Sequence, residues 1–68
     1  MRVLINDEPH ELEAGATLAT ALARLPGASE WRGVAAALDG EVVPRRAWAG
    51  TELSEGARIE LVVAVQGG

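Results

Sequence analysis

The chain ends in Gly67-Gly68, and the α-carboxylate of Gly68 is the group in this sequence best placed to do chemistry. A free α-carboxyl, with a reference pKa of about 3.5, is ionised at neutral pH and is nucleophilic toward phosphorus. Its own carbon is a poor electrophile because the charge is delocalised, so acyl transfer requires that one oxygen first become part of a leaving group. Two terminal glycines also suit such a group sterically: without a Cβ they can enter a narrow channel and adopt backbone angles closed to other residues. Untethered chain ends are mobile, and a mobile end can visit several partners in turn.

Other side chains offer less. There is no cysteine, hence no thiolate nucleophile, no disulfide and no zinc site of the cysteine type. His10 has no second histidine or cysteine to share a metal with and reads as a solvated strand residue. Asp7-Glu8 and the Glu11, Glu13 pair read as solubilising charge on a turn and a surface strand. All six positive residues, Arg2, Arg24, Arg32, Arg45, Arg46 and Arg58, are arginines, so no side-chain amine is available for acylation by a sister molecule. Trp31 and Trp48, in a chain lacking Phe and Tyr, read as bulk for a small core. No nucleophile, base and oxyanion set can be assembled, and no pocket of convergent polar groups is visible, which disfavours an enzyme in its own right.

The elements that must position the terminus fit one domain, since 68 residues leave no room for a second. Arg2-Val3-Leu4-Ile5-Asn6 predicts a strand that leaves through the turn formers Asn6-Asp7-Glu8-Pro9, and His10 to Glu13 a second strand pairing with it. Leu18, Ala21, Leu22 and Leu25 share one helical face, with Thr17 as N-cap and Pro26-Gly27 as terminator. Residues 26–33 read as loop. Asp39-Gly40 between the apolar runs Val34-Ala35-Ala36-Ala37-Leu38 and Glu41-Val42-Val43 predicts a tight hairpin. Pro44 ends it, Arg45 to Ala49 fit one helical turn, and Glu55-Gly56 gives another turn. The last element, Arg58 to Val65, is a β-branched run with Ile59, Leu61, Val63 and Val65 on one face and Arg58, Glu60, Val62 and Ala64 on the other. A hairpin, a helix and further strands pack most economically as a mixed sheet of four to five strands with the helix on one face.

The net charge of −4 argues against nucleic acid, whose binders carry basic stripes, and favours partners with a positive docking surface. No apolar run approaches the ~20 residues of a membrane-spanning helix, and no secretory signal pattern opens the chain. A cytoplasmic protein is the expectation. Val62 and Ala64, close to the tail on the face opposite the expected core, are candidates for an apolar docking patch, with Arg45 and Arg46 flanking it to meet partner carboxylates.

Along its whole length the chain resembles the ubiquitin-like β-grasp sulfur carriers, most closely those of the ThiS type. The likeness rests on Val3-Leu4-Ile5-Asn6, Ala14-Gly15-Ala16-Thr17-Leu18, Val43-Pro44-Arg45 with Trp48, Leu53 with Glu55-Gly56, and Ala64-Val65-Gln66-Gly67-Gly68. It departs at Ala57, where the family often places an aspartate, and this leaves the local turn geometry open. The resemblance implies an α+β β-grasp domain over 1–65 and a flexible tail over 66–68. It implies that an E1-like, ThiF-like enzyme uses ATP to adenylate the Gly68 carboxylate, that a sulfur donor enzyme converts it to a thiocarboxylate, and that a ThiG-like thiazole synthase takes the sulfur in thiamine biosynthesis. On this reading the chain binds no cofactor and is a co-substrate. Three readings stand beside it: the MoaD-like small subunit of molybdopterin synthase, docked permanently on a large subunit; a modifier that forms isopeptides with other proteins; and a β-grasp binding module that never uses its terminus.

Overall fold

The computed structural model describes residues 1–28 and 33–63. Its first strand, β1 (Arg2–Ile5), reverses at Asn6-Asp7, both with positive φ (50° and 69°), into β2 (Glu8–Glu11). This is a two-residue hairpin turn whose twist matches that of the strands, and Asn and Asp tolerate its left-handed angles. The second strand therefore starts at Glu8, two residues earlier than the run of turn formers suggests, and takes in Pro9. Proline is admissible there because Pro9 sits opposite Leu4, one step from the closing Ile5–Glu8 pair, on an edge strand where its missing N–H breaks no rung. Pairing runs on past β1, with the Leu12 amide donating to the Met1 carbonyl at 2.7 Å and the Met1 ammonium donating back at 2.9 Å.

Helix α1 (Leu18–Ala23) begins where the sequence predicts, with the Thr20 amide donating to Thr17 Oγ1 at 3.2 Å, and is capped at Arg24 before Leu25 and Pro26. Leu18, Ala21 and Leu22 face the core as the 3.6-residue period requires. Strand β3 (Val34–Leu38) turns at Asp39-Gly40 (φ 49° and 89°) into β4 (Glu41–Val43). A 3-10 helix, Arg45–Gly50, follows Pro44, and the last strand is β5 (Arg58–Val63).

The five strands form one mixed sheet in the order β2-β1-β5-β3-β4. The final strand lies in the middle, parallel to β1 and antiparallel to β3. One face of the sheet carries α1 and the 3-10 helix over Val3, Ile5, Leu12, Leu18, Leu22 and Ile59. Burial of each such side chain is worth about 2 kcal/mol, so a chain this short depends on every one. Trp48 is buried, as expected of it, and its indole N–H donates to the Val43 carbonyl at 2.8 Å, closing the corner after β4. Trp31 lies outside the described residues. The turn left open by Ala57 forms in full: Gly56 takes φ 82°, its amide donates to the Arg2 carbonyl at 2.7 Å, and Ala57 is buried in the core with its carbonyl accepting from Leu4. A buried position explains why alanine suits where an aspartate would have to be desolvated.

Candidate functional site

The strand that continues to Gly68 lies in the middle of the sheet and is paired on both sides. Its first residues pair with β1 through Leu4–Arg58 and Ile5–Ile59, and Ile59 to Val63 pair with β3 from Leu38–Ile59 to Val34–Val63. Residues 64–68 follow directly and, with Ala64, Gly67 and Gly68 among them, lie outside the described residues.

Alternation along β5 falls as the sequence predicts: Ile59 is buried and Leu61 packs on the core, whereas Arg58, Glu60 and Val62 are exposed. Register then determines what surrounds Val62 on the face opposite the helix. Ala35 stands directly across from it, Ala37 lies across from both Glu60 and Val42, and together they line a shallow apolar groove. Val42 and Val62 are the two large apolar side chains exposed among the described residues, at 72% and 64%. Glu60 places one carboxylate beside them.

The expected partner of Val62 in this patch, Ala64, is outside the described residues, and the groove is built instead with β3 and β4. Sequence reading put Val42 in a strand without joining it to Val62. The signal was present, since the Asp39-Gly40 turn fixes Ala37 opposite Val42, but the pairing of β3 with β5 has no local signature.

Arg45 and Arg46 are exposed at the start of the 3-10 helix. Because β4 runs antiparallel to β3, and β3 antiparallel to β5, the end of β4 that leads to these arginines lies at the same end of the sheet as Val63. The Arg45 guanidinium stands over the Trp48 ring, 5.4 Å from its centroid, in cation–π geometry. The outgoing end of β5 and the end of β4 that leads to the arginine pair thus share one end of the sheet, while the 3-10 helix carrying Arg45 and Arg46 packs on the α1 side and the apolar groove lies on the other face.

Elsewhere some ionisable groups tie parts of the fold together. Arg58 pairs with Asp7 at 3.1 Å across an exposed surface. His10 is half-buried on β2 opposite Val3, and among the described residues no group of three metal-ligating side chains exists. No helix of the described residues is long and apolar enough to cross a membrane. Two polar turn residues that the sequence marks only as turn formers also bond to β5: Asp39 accepts from the Arg58 amide at 2.9 Å, and Asn6 bonds to Leu61.

Comparison with known proteins places these features in context. The model of the ThiS family matches residues 3–68. No curated protein sequence matches the chain. Among solved structures, the crystal structure of thiamine biosynthesis protein ThiS from Geobacter metallireducens is similar, with a TM-score of 0.77 at 24% identity, each chain covered over 100% of its length. That likeness bears out the β-grasp fold class expected from the sequence.

Proposed function

The chain belongs to the ThiS family, and on that premise we propose that it is a sulfur carrier of thiamine biosynthesis whose working group is the α-carboxylate of Gly68. The observation that carries this reading is that the family match runs through the last residue and so includes Gly67-Gly68. Membership also implies partner enzymes of that pathway. In the proposed cycle a Gly68 carboxylate oxygen attacks the α-phosphorus of ATP within an E1-like, ThiF-like adenylyltransferase, and pyrophosphate leaves. The mixed anhydride has AMP as a good leaving group, which a carboxylate lacks. Hydrosulfide released by the donor enzyme attacks the carbonyl carbon, AMP departs with the C–O bond, and loss of the thiol proton leaves the terminus as a thiocarboxylate. A ThiG-like thiazole synthase then takes the sulfur.

Nothing in this cycle needs a catalytic side chain or bound cofactor on the carrier; ATP belongs to the activating partner, and the carrier is a co-substrate. With no thiol in the chain, the terminal carbonyl is the natural covalent seat for sulfur. We assign 1–65 to the folded body and 66–68 to the carrying tail. The body's task is to dock, and we assign docking to Val62 and Ala64, extended by Ala35, Ala37 and Val42, with Arg45 and Arg46 at the same end to meet carboxylates. An exposed apolar centre with charged surroundings is the usual composition of such an interface. The exposure of Val42 and Val62 supports this, because with Ala35 and Ala37 they line one contiguous apolar groove rather than lying singly on the surface.

Intact-mass spectrometry after incubation with ATP, the adenylating enzyme and a sulfur source tests the function. The expected gain equals replacement of one oxygen by one sulfur, and it disappears when Gly68 is deleted. An unchanged mass under conditions that load another carrier, or thiazole formation that persists without Gly68, overturns the assignment.

A further inference from the structure

Strand β1 accompanies β5 for only two register pairs, and its backbone amides at Leu4 and Asn6 donate to the carbonyls of Ala57 and Ile59, each at 2.8 Å. One further rung of a parallel ladder would take the Leu61 amide to the main-chain carbonyl of residue 6. The chain has already begun its turn there, with Asn6 at φ 50°. The Leu61 amide donates instead to Asn6 Oδ1 at 2.8 Å, and Asn6 Nδ2 approaches the Leu61 carbonyl at 3.4 Å. A side-chain amide has replaced the backbone amide of the missing strand, across 55 residues of sequence.

We propose that Asn6 is a positioning residue for the carrier terminus: its side chain supplies the rung at Leu61 and thereby fixes the line along which β5 leaves the sheet toward Gly68. This rests on the carrier reading given above. From Leu61 onward β5 has a neighbouring strand on one side, β3, and Asn6 provides the hold on the other. At the opposite end of the strand Asp39 does the same on the β3 side, accepting from the Arg58 amide while its own amide donates to the Arg58 carbonyl at 2.8 Å. Residue 6 must satisfy two demands at once, a left-handed backbone and an acceptor at the right reach. Glycine meets the first alone, aspartate meets both but forfeits the weaker donor bond, and asparagine meets both in full. A strand end that fluctuates must be ordered by the activating enzyme at each encounter. The apparent affinity then falls by the fraction of time the strand is in place, with the chemistry of the bound carrier unaffected.

The test compares the full parent chain with Asn6→Gly and Asn6→Asp. By amide hydrogen exchange, protection of Leu61 relative to Val3 should fall roughly fivefold in Asn6→Gly, the factor that one net hydrogen bond carries. It should stay near the parent in Asn6→Asp. In ATP-dependent adenylation, well below the melting temperature, KM for the Asn6→Gly carrier should rise by the factor by which its closed fraction falls, about fivefold at most, with kcat unchanged, and Asn6→Asp should restore it. A purely structural role would lower the melting temperature of Asn6→Gly and leave KM alone. Equal Leu61 protection in parent and Asn6→Gly, or an unchanged KM despite lost protection, overturns the proposal. Failure of the carrier reading is separately visible, as a parent chain whose mass does not change whatever Leu61 does.

Discussion

Replacing Val42 and Val62 together by threonine tests whether the open sheet face docks the carrier. The substitution keeps β-branching, shape and strand preference, so the sheet should stand. Both side chains are mostly uncovered in the free protein, 72% and 64% exposed, so most of their apolar surface is still available for burial by a partner. At each site one methyl, worth about 0.8 kcal/mol when buried, becomes a hydroxyl whose desolvation costs about 1 kcal/mol or more if left unpaired. Scaled by that exposure, each replacement weakens docking by about 1 kcal/mol and the pair by about 2 kcal/mol, roughly thirtyfold in affinity. The assay is steady-state pyrophosphate release by the adenylating enzyme as carrier concentration is varied, alongside thermal unfolding of the free carrier. KM should rise roughly thirtyfold while the melting temperature barely moves, because exposed positions contribute little to folding. A KM within about twofold of the parent, a change of under about 0.5 kcal/mol, with the fold intact, refutes the assignment of docking to this face.

Three further outcomes follow from the fold. Leu22→Ala, at a side chain left 1% exposed, should lose about 2–5 kcal/mol in urea unfolding, most of the stability of a domain this small. Thr17→Ala removes the acceptor for the Thr20 amide and should lower stability by about 1 kcal/mol, with Thr17→Asn recovering it in the same denaturation assay. Gly56→Ala should cost about 1–2 kcal/mol although a Cβ there meets no atom within 4 Å, because φ 82° is strained for any side chain; thermal unfolding measures this.

What the sequence determined by itself is what lies within a few residues along the chain. Asp39-Gly40 dictates its hairpin through tolerance of positive φ, Thr17 starts the helix through one hydroxyl oxygen, and Leu18, Ala21 and Leu22 find the core because a helix returns to the same side every 3.6 residues. Alternation from Arg58 to Val62 likewise assigns the two faces of β5 before any partner strand is known. Gly67-Gly68 is different: the dipeptide alone is a weak signal, and it becomes legible as a candidate carrying group through the resemblance that runs along the whole chain.

Tertiary structure alone decided which strands meet. Nothing near Arg58 in sequence says that it will lie between β1 and β3, and only that placement sets Val62 beside Ala35, with β3 alone between it and the strand of Val42. Asn6 reads locally as a turn former, and its second role appears because the chain brings Leu61 to it from 55 residues away. Local backbone preferences arise from sterics between neighbours, which a sequence writes down explicitly. Strand order and register arise from the joint burial of one core by all the elements together, and no short stretch of residues encodes that.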